Sequence, residues 1–113
     1  MSCIFCRIVS GAAPSKTVYE DEHVVAFTDI RPLAPVHVLV VPREHVASLW
    51  ELESRELAGH LFLAAAEVAR RSGLERGFRV IANARGDGGQ EVEHLHLHVL
   101  GGRRLGPMLQ RAP

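Results

Sequence analysis

Three histidines occupy alternate positions of one apolar run: His94, His96 and His98 lie in the stretch EHLHLHV, residues 93–99. Imidazole changes its charge near neutral pH, and its nitrogens serve as metal ligands, as general acids and bases and as nucleophiles. The spacing therefore raises a specific question. The three side chains could bind one metal, act in catalysis, or divide these roles.

Strand geometry gives these histidines a direction. Alternate side chains of an extended segment point to opposite faces, so the three histidines share one face and Leu95, Leu97 and Val99 share the other. The leucine face is expected to enter the core. Neighbouring histidines on one face lie about 6.6 Å apart, twice the rise per residue, so two imidazoles converge on one ligand more readily than three. A division of labour is therefore predicted.

A glycine-rich loop, RGDGGQ (85–90), stands directly ahead of the histidine run. Glycine tolerates positive φ and has no side chain in the way, so the backbone N–H groups of such a loop can approach an anion closely. The loop lacks the Gly-x-x-x-x-Gly-Lys-Ser/Thr pattern, and a glycine cluster between strands is more often only a turn. Next to the histidines, however, it predicts the arrangement that phosphoryl or nucleotidyl transfer needs.

The elements that must position these residues are mostly strands. We predict strands at 17–20, 23–30, 36–42, 78–84 and 91–101, the first two forming a hairpin across an acidic turn, and one long helix between Ser54 and Gly73. The fold class is therefore α+β, with an antiparallel sheet of about five strands. The apolar face of the helix is wide, which fits either a dimer contact or a well-buried helix; the residues that widen it are Phe62, Ala65, Ala66 and Ala69.

Length and composition limit the possible functions. A chain of 113 residues predicts one domain. The 13 basic and 13 acidic side chains cancel, so no net charge attracts the protein to nucleic acid or to a membrane surface, and neither is expected as a partner. The chain lacks a long apolar run and a secretory start, which predicts a cytoplasmic protein. Cys3 and Cys6 form a C-x-x-C pair, which in a reducing compartment indicates metal or redox chemistry rather than a structural disulfide.

The run HLHLHVL fits the His-φ-His-φ-His-φ-φ signature (φ apolar), and the chain resembles the histidine triad (HIT) family. The resemblance extends from Cys3 to Arg104 through CIFCRI, AFTDIRPLAPVHVLVVPREH, VIANARGDGGQ and HVLGGR. It implies a HIT-like fold over residues 1–113, with a short N-terminal helix and a homodimer whose two sheets form one ten-stranded sheet. The ending HVLGGR is most similar to the histidine triad nucleotide-binding branch, which hydrolyses purine nucleoside phosphoramidates, rather than to the branch that cleaves dinucleoside polyphosphates.

The resemblance also implies a catalytic mechanism without a required cofactor. His96 matches the histidine that attacks the α-phosphate of a purine nucleotide derivative, of AMP or GMP type, to form a covalent nucleotidyl-histidine that water hydrolyses. His98 matches a residue that contacts the phosphate and helps to protonate the leaving group. His37 matches a histidine near the triad, for which we expect a supporting hydrogen bond.

Nucleotide contacts follow from the same resemblance. Asp29 matches the residue whose carboxylate accepts the ribose hydroxyls. The expected base pocket, whose members could equally be ordinary core, comprises Phe5, Ile8, Phe27 and Ile30. The positions that match phosphate contacts are Asn83, Gly89, Gln90, Glu91 and Val92. Glu91 departs from the serine common in this branch: either its carboxylate turns away and leaves the backbone N–H to bind, or the leaving-group preference differs.

Metal-binding members of the superfamily use four residues that correspond here to Cys3, Cys6, His45 and His94. Two thiolates and two imidazoles make a closed tetrahedral zinc site, which is structural because no position is left for water. The alternative is a pair of reduced thiols near the terminus. His23 and His60 have no motif partner, and we expect both to be surface residues.

Two functions of other classes compete with this interpretation. One is a metal-dependent hydrolase in which an H-x-H pair holds a catalytic zinc. The other is a nucleotide-binding or scaffold protein whose hydrolysis is incidental, since binding and catalysis would use the same residues.

Overall fold

The computed structural model describes residues 3–110. These residues form an α+β domain with five strands, one long helix and a short N-terminal helix, as predicted. In chain order the elements are α1 (Ile4–Val9), β1 (Thr17–Glu20), β2 (Val24–Thr28), β3 (Val36–Pro42), a 3₁₀ turn (Leu49–Glu51), α2 (Arg55–Arg71), β4 (Phe78–Ile81) and β5 (Leu97–Gly101). Among the described residues, no helix combines the length and apolar character needed to cross a membrane.

All strand pairs of the sheet are antiparallel, and the strand order is β1-β2-β3-β5-β4. The predicted β1–β2 hairpin turns at Asp21, whose carboxylate accepts the backbone N–H groups of His23 at 2.8 Å and Val24 at 2.9 Å. An Asp that bonds the backbone a few residues on stabilises a tight turn. The central strand β3 pairs with β5, which sets Leu39 opposite His98. Two segments that are distant in sequence thus become neighbours.

Helix α2 begins and ends where its sequence signals predict. The Ser54 hydroxyl accepts the backbone N–H of Leu57 at 3.0 Å, which satisfies one of the free donors of the first turn. Gly73 follows the helix with a φ of 72°, the left-handed conformation that glycine adopts at low cost. The buried face of the helix packs on the sheet through Leu57, Leu61, Ala64, Ala65, Val68 and Ala69.

The other face of the sheet carries a second, smaller core that includes Phe5 of α1. Its buried members are Phe5, Val25, Phe27, Leu39 and Val41. Alternation along β2 and β3 sends every second side chain to this face and the others toward α2. The histidines lie on the α1 side of the sheet, because Leu95, Leu97 and Val99 occupy the core beneath α2.

Two predicted strand boundaries are wrong, and β2 is shorter than expected. β4 ends at Ile81 rather than at residue 84, and β5 begins at Leu97 rather than at residue 91. For β5 the reason is a change of hydrogen-bond partner. The Leu95 N–H donates to the Val46 carbonyl at 2.7 Å, so this segment lies beside the chain that follows β3. The predicted alternation of side chains nevertheless continues through Leu95.

The wide apolar face of α2 is only partly covered by the chain itself. Ala65 and Ala69 are buried, whereas 56% of Phe62 is exposed. Phe78, at the start of the edge strand β4, is 44% exposed and shares a surface depression with Ala66. The alternative of a well-buried helix is therefore wrong at Phe62.

Candidate active site

His96 is held by its own backbone neighbourhood. Its Nδ1 lies 2.7 Å from the carbonyl oxygen of His94. A carbonyl only accepts, so Nδ1 carries the hydrogen and the lone pair resides on Nε2. Among the described residues, every fully buried side-chain nitrogen has a hydrogen-bond partner, whereas His96 Nε2 has none. Nε2 is therefore not fully buried, although only 5% of the residue is exposed. Because His96 lines the adjoining cavity, the Nε2 lone pair is open to that cavity.

His98 and His37 form a hydrogen-bonded pair with a defined direction. The backbone N–H of Leu33 donates to His37 Nδ1 at 3.1 Å, so the His37 hydrogen is on Nε2. That Nε2–H donates to His98 Nδ1 at 2.9 Å. The hydrogen of His98 is then on its own Nε2, which makes this atom a donor for any ligand in the cavity. The supporting bond expected of His37 is present.

Burial keeps this pair neutral. Desolvation, followed by repulsion from His96 and His37, lowers the pKa of His98 to about 4. Burial also lowers the pKa of His37, although the carboxylate of Asp29, 3.5 Å from His37 Nε2, acts in the opposite direction. Near neutral pH both rings are uncharged, which preserves the directed hydrogen bonds between them.

A cavity of about 420 Å³ opens beside the two triad histidines. Its size falls in the range of small-molecule sites, roughly 300–1,000 Å³. The lining is largely apolar on the side of α1 and β2, and His96, His98 and Asp29 are among its polar groups. A flat apolar ligand with a polar end fits this distribution.

Most of the predicted nucleotide contacts lie around this cavity. The four base-pocket residues all line it, as do Asp29, Glu91 and Val92; those four are Phe5, Ile8, Phe27 and Ile30. Ile30 is 91% exposed, so ordinary core is the wrong description for it, whereas Phe5 and Phe27 are buried in the second core and line the cavity as well. Asn83, Gly89 and Gln90 do not belong to the lining.

Gln90 has a structural arrangement that the sequence did not reveal. Its side-chain oxygen accepts the Arg85 N–H at 2.8 Å, and its amide donates to the carbonyls of Ala47 at 2.7 Å and Val92 at 2.9 Å. The side chain thus closes the glycine-rich loop and ties it to the segment after β3. A glutamine at the end of a glycine cluster is the only sequence signal for this role, and it is a weak one.

Cys3, Cys6, His45 and His94 come together at the start of α1. Their ligand atoms all lie within 4.8 Å of one another. Cys6 Sγ is 3.3 Å from His45 Nδ1 and 3.5 Å from His94 Nδ1, and Cys3 Sγ is 3.4 Å from the same His94 nitrogen. The four predicted ligands therefore form one cluster that could hold a metal ion.

The chemistry of this donor set fits a metal. His94 Nε2 lies 2.9 Å from the Pro42 carbonyl and must donate to it, which turns the Nδ1 lone pair toward the thiols. Burial, and then the neighbouring Cys3, raises the pKa of the Cys6 thiol, so a cation is needed to favour two thiolates at this distance. Thiolates and imidazoles are ligands for borderline-soft divalent ions.

The described residues contain a second potential ligand group, Asp29, His37 and His98. The nitrogens of this group already bond each other, and His96 belongs to neither cluster. An H-x-H catalytic zinc that includes His96 therefore gains no support from the geometry.

Of the two histidines without a motif, His23 is exposed, as predicted, and His60 is half-buried. His23 in the β1–β2 turn and His60 on α2 stack with their ring centres 3.9 Å apart and their planes inclined by 17°. Neither residue carries a sequence signal for this contact.

The fold and site define an α+β protein in which two strand histidines, His96 and His98, line a small-molecule cavity. The chain belongs to the HIT family: a family model described as HIT domain matches residues 10–105. This result confirms the resemblance drawn from the sequence.

Relatives and solved structures agree with this assignment. The chain is 47% identical to an uncharacterized HIT-like protein of Azospirillum brasilense, covering 96% of this chain and 92% of that one. It is 43% identical to a purine nucleoside phosphoramidase of Escherichia coli, covering 94% and 92% of the two chains. The structure of a histidine triad protein from Clostridium difficile superposes with a TM-score of 0.91 at 45% identity, covering 96% of this chain and 97% of that one.

Proposed function

We propose that this protein is a nucleotidyl hydrolase that cleaves purine nucleoside 5′-phosphoramidates through a covalent intermediate on His96. The observation that carries the proposal is the His96 side chain, whose Nδ1–H is bound at 2.7 Å while Nε2 opens to the cavity. A fixed neutral imidazole with an available lone pair is the requirement for nucleophilic attack on phosphorus. The name of the E. coli relative supports the substrate class.

In the proposed complex, the nucleoside occupies the apolar part of the cavity. The purine lies against Phe5, Ile8, Phe27 and Ile30, and the Asp29 carboxylate accepts the ribose hydroxyls. The α-phosphate lies beside the Glu91 and Val92 backbone, within reach of His98. Because the Glu91 side chain is exposed at the cavity, its carboxylate can turn to solvent while the backbone N–H binds.

The reaction proceeds in two displacements. His96 Nε2 forms a bond to phosphorus as the P–N bond breaks, and the departing nitrogen leaves with the bonding pair and takes a proton from solvent. Water then attacks the phosphorus, the P–Nε2 bond breaks with its pair returning to His96, and one proton of the water is released. His98 keeps its Nε2–H and donates a hydrogen bond from it to a phosphate oxygen or to the departing nitrogen, where negative charge develops, while the transferred proton comes from solvent.

We also propose that Cys3, Cys6, His45 and His94 hold a structural zinc ion. The bound ion would supply a cross-link between α1, the segment after β3 and the histidine run. All four ligands come from the protein, so no step of the hydrolysis uses the metal. Elemental analysis of the purified protein tests this assignment, and folded protein that contains no zinc would remove it.

We further propose a homodimer in which edge strand β4 pairs with its copy to form a ten-stranded sheet. The support is the free edge of β4 together with two exposed aromatic side chains, Phe62 on α2 and Phe78 on β4. Unpaired edges and exposed apolar patches are typical of association surfaces.

The decisive test is hydrolysis of adenosine 5′-phosphoramidate by the wild type and by His96→Ala. We expect kcat/KM to fall by at least about 10⁴-fold in the variant, because the nucleophile is lost. Mass spectrometry after rapid denaturation at alkaline pH, where a P–N bond to histidine survives, should detect an adenylylated wild-type peptide that contains His96. His60→Ala serves as the matched control, since this histidine lies outside the cavity, and it should retain activity.

The same assay separates the rival functions. Faster cleavage of a dinucleoside polyphosphate than of the phosphoramidate would assign the protein to the other branch of the family. Turnover far below about 1 s⁻¹ on every substrate would favour a binding or scaffold role. Full activity in His96→Ala would refute the mechanism.

A further inference from the structure

One residue belongs to both the metal-ligand cluster and the active site. The His94 side chain presents Nδ1 to Cys3 Sγ at 3.4 Å and to Cys6 Sγ at 3.5 Å. The backbone carbonyl of the same residue accepts the Nδ1–H of His96 at 2.7 Å. His94 is fully buried, so the packing around it restricts both its ring and its carbonyl. A ligand that fixes the His94 ring therefore also fixes the group that orients the nucleophile.

A second connection passes through Phe5, which lies between the two cysteines on α1. Its ring packs edge-on against His96, with ring centres 5.1 Å apart, and against His94 at 5.9 Å. Phe5 also lines the cavity that receives the proposed nucleoside. The position of this one ring thus affects both the nucleophile and the pocket.

Helix α1 is short, and its stability depends on the contacts that hold its first turn. It has six residues, of which only Phe5 is buried. A helix this short is not stable by itself in water, because nucleation costs more than one or two turns return. Its first turn is held by the Cys6 N–H, which donates to Cys3 Sγ at 3.4 Å. A metal that binds both thiols would restrain the same turn and so limit the motion of Phe5.

We infer that the Cys3, Cys6, His45 and His94 cluster is energetically coupled to the nucleotide cavity, so that metal and nucleotide each tighten the binding of the other. This inference rests on the proposed function, since it needs a purine nucleotide in the cavity. Coupling between two sites is reciprocal, so the factor by which zinc lowers the Kd of AMP must equal the factor by which AMP lowers the Kd of zinc. We expect a factor of about 5 to 150.

The experiment measures both sides of this linkage. AMP is titrated calorimetrically into zinc-loaded and zinc-free wild-type protein, and zinc affinity is measured by chelator competition with and without saturating AMP. Equal factors of at least fivefold in the two directions support the coupling. Because zinc-free protein can lose structure, the rate at which zinc-loaded protein releases zinc to a chelator is also measured, and AMP is expected to slow it.

Two substitutions in the cavity locate the connection. Phe5→Leu removes the ring that contacts His94 and His96, so the coupling factor should fall toward one. Phe27→Leu alters a neighbouring cavity residue, whose ring centre is 5.4 Å from that of Phe5. It should weaken AMP binding equally in both metal states and leave the factor unchanged. A general loss of stability would change the coupling factor similarly in both variants, whereas the proposed connection predicts a lower factor in Phe5→Leu alone.

The possible failures are distinguishable. If zinc and AMP both bind, but the Kd of each changes by less than twofold when the other ligand is present, the coupling alone is overturned and the proposed function stays intact. Absence of zinc binding overturns the coupling together with the zinc assignment. Absence of AMP binding in both metal states overturns the coupling together with the proposed function.

Discussion

Gly88 in the glycine-rich loop offers a sharp test of the site, because the loop is folded tightly around it. The Gly89 N–H donates to the Gly86 carbonyl at 3.0 Å, and the Gln90 N–H donates to the Arg85 carbonyl at 3.1 Å. A Cβ atom added at Gly88 would lie 2.4 Å from the carbonyl oxygen of Ala84 and 2.8 Å from its nitrogen. These are backbone atoms, so no side-chain rotation can relieve the contact.

The magnitude follows from this distance. Restoring an ordinary carbon–oxygen separation of about 3.3 Å requires the loop to open by roughly 0.9 Å. Overpacking of this kind costs about 1–3 kcal/mol. A displacement near 1 Å around a reacting centre reduces the rate by about 10²-fold. We therefore expect kcat/KM of Gly88→Ala to fall by about 10²-fold, with Tm lower by roughly 4 °C for each kcal/mol lost.

The assay is phosphoramidate hydrolysis with purified Gly88→Ala, accompanied by thermal unfolding. Gly86→Ala is the matched control in the same loop, because a Cβ at Gly86 would have no heavy atom within 4 Å. It should keep wild-type activity within about twofold, since a surface substitution in open space has little effect. Wild-type kinetics in Gly88→Ala, or an equal loss in both variants, would refute the assignment of this loop to the site.

Four further predictions concern pH, the loop, the helix and assembly. Burial lowers the pKa of His98 in the folded protein from 6.5 to about 4, so the unfolded chain binds the proton at a higher pH than the folded chain does. As the pH falls from 6.5 to 4, this site should lower the free energy of unfolding by up to about 3 kcal/mol. Urea unfolding of His98→Gln at the same pH values should lack this component. Gln90→Glu sets a carboxylate against two backbone carbonyls and should cost about 1–3 kcal/mol in urea unfolding, whereas a wild-type midpoint would argue against the clamp. Ser54→Ala should lower stability by about 1 kcal/mol, measured in the same way, and leave kcat/KM unchanged. Phe62→Glu should shift the proposed dimer to monomer in light scattering, and an unaltered mass would exclude this contact.

Elements that depend on nearby residues were predictable from the sequence. The cap at Ser54 and the stop at Gly73 each act within one helical turn, and both are where the sequence signals set them. The strand at 36–42 agrees with its β-branched composition. The start of β5 was not predictable, because the alternation of histidine and leucine continues through residues whose hydrogen-bond partner is Val46 rather than a strand.

The candidate site divides in a similar way. Motif spacing and family resemblance were sufficient to nominate Asp29, His96 and the four metal-cluster residues, and the fold brings them to one cavity and one cluster. Nothing in the sequence distinguished Gln90, whose side chain closes the loop, from Glu91 and Val92, which line the cavity. The direction of a side chain in a loop depends on backbone torsions that composition does not specify.

Strand alternation and motif spacing, both readable from the amino-acid sequence, are sufficient to show that the three histidines share one face and which family the chain resembles. The tertiary structure decided the chemical state of those histidines: His37 sets the hydrogen of His98, the His94 carbonyl sets that of His96, and burial holds the pKa of His98 near 4. The difference lies in how far apart along the chain the interacting groups are. Periodicity and capping act over a few residues along the chain, whereas a tautomer, a desolvated ring and a cluster such as that of His94 with the two cysteines require groups that only folding brings together.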